Sequence, residues 1–292
     1  MERTVAENKA WQSRQPYVFE LAKIAPKSFG IEAIEVTRPD RAYDVDMLFF
    51  ITSPQGKFTL RVYDSQKDTN HIRSEVYLLK KLQEAGFSVP EPIRNLDNTY
   101  ISQVSLPDID DPRYCVMYNW IEGVPIANIP IADRPADLVR KLGFKLAQFH
   151  SFTEKMAIPD WFSAPRKDLE TLMETIERQR ALHARLRILT NLRNVAEIFE
   201  NLGEERSGFG LLHNDFHAGN LLLHDSRISF MDFTWFAWGY RVCDIARADF
   251  EIARNNRQEL LEGYSEVCSL PNDIDNILDI FRSAKKERRF LD

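Results

Sequence analysis

The prevailing spacing of apolar residues in this chain of 292 residues changes near Glu122-Gly123. Before that point most segments alternate as strands require, and after it most recur at helical spacing. A chain with that switch must build a strand-rich part and a helical part. Residues 16–27 (PYVFELAKIAPK) predict a short amphipathic helix closed by Pro26 and Gly30. Strand-like segments follow at 31–36, 47–52 and 58–63, the last two joined as a hairpin over 53–56 through Pro54-Gln55-Gly56. A helix over about 69–85 carries Ile72, Val76, Leu79 and Leu82 on one face and stops at Gly86, before the extended Val89-Pro90-Glu91-Pro92. Residues 100–104 and 114–120 read as strands separated by an acidic loop, 107–112.

From Ala132 onward helices dominate, at 133–152, 166–186, 191–202, 244–255, 257–268 and 272–288. Leu138, Leu142, Leu146 and Phe149 form one apolar stripe. No internal repeat or low-complexity linker interrupts the chain. The expectation is an α+β fold of two lobes, a mostly antiparallel one over 1–122 with one main helix and a mainly helical one over 123–292.

One stretch breaks the helical part. Residues 213–232, HNDFHAGNLLLHDSRISFMD, read as a loop, a strand over 221–223, a turn at Asp225-Ser226-Arg227 and a strand over 228–231. Asp215, Asn220 and Asp232 sit at the rims of those strands. Two carboxylates and an amide oxygen suit a hard cation such as Mg²⁺, which takes oxygen ligands and keeps several waters. A carboxylate beside a metal-bound polyphosphate can orient an attacking hydroxyl, so these are the parts of a phosphoryl-transfer site.

Composition removes several other classes. Thirty-eight basic against forty-four acidic residues leave a net charge of −6, which argues against nucleic acid or an anionic membrane as the main partner. The basic run at 285–289 reads as a solvated helix end. Cys115, Cys243 and Cys268 are widely spaced and lack a CxxC, so neither a disulfide framework nor a zinc site is indicated. His183, His217 and His224 give no ligand pair on one helix face. The N-terminus is too polar for a signal peptide and no apolar run approaches membrane-spanning length. A soluble cytoplasmic protein is expected, with its oligomeric state left open.

The spacing His-x-Asp-x-x-x-x-Asn at His213, Asp215 and Asn220, with Asp232-Phe233 after an apolar strand, resembles the catalytic loop and metal-binding segment of the protein-kinase-like superfamily. The fuller wording, HNDFHAGNLLL, ISFMDF and GYRVCDIA, resembles the aminoglycoside phosphotransferase and choline kinase-like family more than the eukaryotic protein kinases. The resemblance implies a two-lobed kinase-like fold and transfer of phosphate from ATP, with Mg²⁺, to a hydroxyl of a small molecule: an aminoglycoside, an amino alcohol or a homoserine-like compound. It makes Asp215 the catalytic base or the group orienting the acceptor, and gives Asn220 and Asp232 the metal. His213 and His150 would brace the loop, and Asp244 would brace the region by capping a helix.

In the first lobe the resemblance asks for a basic strand residue and a helix glutamate, which Arg61 and Glu75 supply, with the exposed Lys57 as a substitute. Arg61 stands where the family usually has lysine; a guanidinium also clamps phosphate oxygens. Residues 114–123 resemble the segment joining the lobes, where the Asn119 carbonyl and the Ile121 N–H would read adenine. The loop 41–46, which would cover the nucleotide, lacks glycine. Trp235, Trp238 and Tyr240 suit an acceptor pocket or the core equally. Asp249, Glu251, Asp273 and Asp275 would favour a cationic acceptor or simply face water. Two competing readings are a protein Ser/Thr kinase of the bacterial stress-response type and a nucleotide-binding pseudokinase.

Overall fold

The computed structural model describes residues 17–39, 47–107, 109–181, 186–203, 208–253 and 255–285. The loop 41–46, His183 and residues 286–289 of the basic run lie outside them. Contacts divide the chain into two compact units, Met1–Glu122 with Trp161–Ser163, and Gly123–Asp160 with Ala164–Asp292.

The first unit is a five-stranded antiparallel sheet in the order β1-β2-β3-β5-β4, built from Glu35–Thr37, Met47–Ser53, Gly56–Val62, Ser102–Leu106 and Ile109–Asn119, numbered β1, β2, β3, β4 and β5 in chain order. Strict alternation along β2 sends Met47, Phe49 and Ile51 inward. They meet Val18, Ala22 and Phe29 from helix α1 (residues 17–24) and the 3-10 turn Ala25–Phe29 that continues it. The β2–β3 hairpin closes on Ser53, whose hydroxyl accepts from Gln55 N–H at 3.2 Å and donates to the Gly56 carbonyl at 2.9 Å. Gly56 has φ of 125°, which favours glycine.

Two expectations for this sheet need correction. The strand over 31–36 shrinks to Glu35–Thr37 at the sheet edge. The acidic loop 107–112 is largely strand, because β5 begins at Ile109. Arg113 explains the second difference: it is 3 % exposed, pairs with Asp111 at 2.7 Å and lies 3.6 Å from Asp64. A buried cation thus neutralises Asp111, one of the acidic residues that made the segment look like a loop.

Helix α2 (Thr69–Glu84) starts on Asp68, whose carboxylate accepts the Asn70 N–H at 3.0 Å. It buries Ile72, Val76, Leu79 and Leu82, the stripe read from the sequence, and Glu75 with them. Trp161–Ser163 folds onto its other side. There the Arg73 guanidinium lies 3.8 Å from the centre of the Trp161 ring, and the Ser163 N–H donates to Ser74 Oγ at 2.8 Å.

The second unit is mainly helical. Its helices are α3 (Ala136–Lys155), α4 (Leu169–Ala181), α5 (Leu186–Leu202), α6 (Val242–Ala248), α7 (Arg257–Ser265) and α8 (Ile274–Lys285), with a π-helical turn at Asp249–Ala253. The stripe on α3 is buried as its spacing requires. On the α7 side, a Cβ on Gly143 would lie 2.0 Å from the Leu260 carbonyl oxygen, and one on Gly263 would lie 1.9 Å from that of Arg140. Only glycine lets the two backbones approach so closely.

Two small sheets complete this unit. β6 (Val124–Pro125), β9 (Leu221–His224) and β10 (Arg227–Phe230) run in the order β10-β9-β6, and β7 (Arg166–Lys167), β8 (Phe209–Leu212) and β11 (Ala237–Tyr240) in the order β7-β11-β8. The second sheet was not expected from the sequence: its strands are at most four residues long, too short for a period to register. Among the described residues, no helix is long and apolar enough to cross a membrane.

Candidate active site

The loop between β8 and β9 carries the motif. β8 ends at Leu212, and His213 follows, fully buried. Asn214 takes a left-handed φ of 63°, which asparagine tolerates better than most residues. Its side-chain amide donates to the Trp235 carbonyl at 2.8 Å. A 3-10 turn, Ala218–Asn220, delivers the chain into β9. The antiparallel pair β9–β10 then returns it, and the Met231 N–H donates to the Asn220 carbonyl at 2.8 Å. Asp232 follows directly, with φ of 58°. Its Oδ1 accepts the Thr234 hydroxyl at 2.6 Å. Strand pairing therefore brings Asn220 and Asp232 to neighbouring positions although twelve residues separate them.

Asp244, in the first turn of α6, grips this loop. It is fully buried, and its carboxylate accepts the backbone N–H of His213 and of Asn214, each at 2.8 Å. His150 Nε2 lies 3.2 Å from the same carboxylate, and His150 Nδ1 lies 2.8 Å from the Tyr264 hydroxyl. Bracing is as expected, but its form differs: Arg241, not Asp244, occupies the cap position of α6, so Asp244 caps a loop and not a helix. His213 itself bonds the Met231 carbonyl through Nε2 at 2.9 Å, and its Nδ1 accepts the Asp215 N–H at 3.3 Å.

The Asp215 carboxylate is held on both sides. Oδ1 accepts from Arg247 Nη2 at 2.8 Å. Oδ2 accepts from Asn220 Nδ2 at 2.8 Å and lies 3.3 Å from His217 Nε2. The Gly219 N–H donates to His217 Nδ1 at 2.9 Å, which places the ring proton at Nε2, facing Asp215. Burial pushes the Asp215 carboxyl up; the hydrogen bond from His217 and the charge of Arg247 more than reverse this and leave it at about 2. The group is an ionised acceptor of hydrogen bonds at neutral pH and a weak base.

Asn220 commits its amide nitrogen to the Asp215 carbonyl at 3.1 Å and to Oδ2, so the amide oxygen is its remaining polar end. An amide oxygen and a neighbouring carboxylate fit Mg²⁺, which commonly takes one or two protein oxygens and completes its shell with phosphate and water. Among the described residues, no group of three or more His, Cys, Asp or Glu is placed to hold a metal ion.

In the first unit, Arg61 on β3 and Glu75 on α2 are both buried, at 5 % and 2 % exposure. The Tyr63 hydroxyl donates to Glu75 Oε2 at 3.0 Å and lies 3.1 Å from the Tyr118 hydroxyl. Burial, then the Glu75 charge, push the Tyr63 phenol well above its usual range, while the Arg61 charge acts the opposite way. Glu75 is thus part of a buried polar cluster and does not face solvent. Lys57 is exposed, with its amine 5.7 Å from the centre of the Trp120 ring. Asn119 ends β5, and both its N–H and its side-chain amide donate to Glu91, at 2.9 and 3.1 Å. Ile121 is half-buried two residues on.

Of the three aromatics after Asp232, Tyr240 belongs to the core, stacked on Phe199 with ring centres 4.0 Å apart. Trp238 is half-buried, and Trp235 is 50 % exposed. Asp249 is 1 % exposed and held by Arg257 (3.0 and 3.1 Å) and Arg282 (2.8 Å), so it does not face water. Sequence reasoning passed over Arg247. The signal was present, since Arg247 lies one helical turn beyond Asp244 and shares its face of α6.

The fold is shared with solved phosphotransferases. Amicoumacin kinase, solved with AMP-PNP and Ca²⁺, superposes with a TM-score of 0.74 at 16 % identity, over 96 % of this chain and 87 % of that one. A microcompartment-associated aminopropanol kinase gives 0.69 at 18 % identity, over 91 % and 86 %. The macrolide 2'-phosphotransferase of Brachybacterium faecium gives 0.65 at 14 %, over 93 % and 89 %. No curated protein matches the chain in sequence. The model of the phosphotransferase enzyme family matches residues 35–267, most of the chain, and the protein belongs to that family.

Proposed function

We propose that this phosphotransferase moves the γ-phosphate of ATP to a hydroxyl of a small molecule, with Asp215 orienting the acceptor. The observation that carries this reading is the pairing of Asp215 with Asn220 Nδ2 at 2.8 Å beside Asp232. One residue is set to receive a hydroxyl, and two oxygen donors lie next to it on a hairpin. Asn220 and Asp232 would hold Mg²⁺, which when bound neutralises the phosphate oxygens. In the reaction the acceptor oxygen bonds to the γ-phosphorus, the bond from that phosphorus to the bridging oxygen breaks to release ADP, and the hydroxyl proton passes to a phosphate oxygen and on to water. A carboxyl held at about 2 stores a proton poorly, so Asp215 acts by placing the hydroxyl in line.

Arg61 is proposed to face the donor phosphates, with Glu75 in the cluster beside it. Asn119 and Ile121 are proposed to read adenine. The related structures include an amicoumacin kinase and an aminopropanol kinase, which supports a small-molecule acceptor. Thermal denaturation with millimolar ATP and Mg²⁺ tests the reading: binding to the folded state should raise the melting temperature, and Asp232→Ala should abolish the Mg²⁺-dependent part. No shift with the native protein would refute it.

A further inference from the structure

Each oxygen of a carboxylate has two acceptor sites. On Asp215, Oδ2 meets two donors, Asn220 Nδ2 and His217 Nε2, and Oδ1 meets one, Arg247 Nη2. Among the described residues, the remaining acceptor site is therefore on Oδ1. Resting on the reading of Asp215 as the orienting group, we infer that the acceptor hydroxyl bonds to Oδ1 beside Arg247, and that Arg247 selects acceptors carrying a carboxylate or other anionic group a few bonds from that hydroxyl.

Four features support this. A hydroxyl and a guanidinium bonded to the same oxygen are close neighbours, so the acceptor's next few atoms meet a cation. The Arg247 side chain is 23 % exposed and reachable by a ligand, and its planar fork matches a carboxylate. Two of the acidic residues that would have drawn an amine have partners already: Asp249 holds Arg257 and Arg282, and Arg257 also reaches Asp275 at 3.4 Å. Arg247 is held in place as Asp244 is, both projecting from α6 onto consecutive residues of the motif loop. Asp244 takes the backbone of His213 and Asn214, and Arg247 takes the side chain of Asp215.

The test uses acceptor pairs that differ only by a carboxylate: serine with ethanolamine, homoserine with aminopropanol, and glycerate with ethylene glycol. kcat/KM is measured for each at saturating ATP and Mg²⁺. The native protein should favour the carboxylate member of at least one pair by about tenfold or more, the scale of a charge-assisted hydrogen bond. Arg247→Met should bring that ratio to about one, and Arg247→Lys should restore part of it. Where the methionine variant fails to fold, the native ratio alone decides. The inference is overturned by a preference for the decarboxylated members, by an unchanged ratio in Arg247→Met, or by no transfer to any carboxylate member from a protein that binds ATP with Mg²⁺. Absence of nucleotide binding in the native protein is a separate result, and removes the phosphotransferase reading and this inference together.

Discussion

The side-chain amide of Asn220 donates to the Asp215 carboxylate at 2.8 Å, so the residue proposed for the metal also fixes the residue proposed to orient the acceptor. Asn220→Asp replaces that donor with a second carboxylate at hydrogen-bond distance. Like charges so close cannot both be ionised comfortably, and the orientation of Asp215 is lost with the donor. Phosphate transfer from ATP should fall by about a hundredfold or more, with the circular dichroism spectrum unchanged. Retention of near-native turnover by Asn220→Asp would separate the two roles.

Gly143 and Gly263 make a second pair whose replacement has a clear outcome. A methyl group on either would meet a backbone carbonyl oxygen at 2.0 Å or less, which no side-chain rotation relieves. The α3 and α7 axes must move apart, and contacts along both helices are lost. Gly143→Ala or Gly263→Ala should each cost about 3 kcal/mol, the upper end of overpacking penalties, read by urea denaturation. Gly203, with nothing within 4 Å of the position of its Cβ, provides the comparison: its φ of 61° predicts only the smaller penalty of a left-handed alanine.

The same two glycines show where sequence reading stops. The stripe Leu138, Leu142, Leu146 and Phe149 announced a buried face on α3, but not which helix covers it, because the partner glycine is far along the chain. Local signals served well where structure is local: the Ser53 to Gly56 hairpin, the stop of α2 at Gly86 and the β9–β10 pair were all legible. The motif loop was legible because its residue types and spacing are set by one tight segment. Arg113, Arg247 and the fold of Trp161–Ser163 onto α2 were not. Each depends on a contact between distant segments, and a charged or aromatic side chain looks the same in sequence whether it faces water or a buried partner.

Asp244 should be costly to replace for reasons apart from chemistry. Its buried carboxylate satisfies two backbone N–H groups, and His150 lies 3.2 Å away. Asp244→Ala leaves those donors unsatisfied in the interior, at a cost of about 3 kcal/mol or more. Asp244→Asn keeps one acceptor oxygen and turns a donor toward the others, so it should fall between the alanine variant and the native protein. Both should lower the melting temperature more than Asp215→Ala does. Equal melting temperatures for Asp244→Ala and the native protein would show that the loop does not depend on this carboxylate.

His150 and His213 give the fold a dependence on acid. Both are fully buried. Burial is the main cause holding each below its usual value; Asp244 opposes it in both, and Arg241 and His213 add to the lowering at His150. On unfolding each ring returns to about 6.5. Below that pH the unfolded chain binds protons that the folded chain refuses, so stability is fully present above it and is lost as pH falls toward the folded values. Each ring contributes a slope of up to about 1.4 kcal/mol per pH unit over its window. The melting temperature should be level just above neutrality and decline through pH 6, and His150→Gln should start lower but decline less steeply. A melting temperature that rises on acidification over that range would contradict the neutral state of the buried rings.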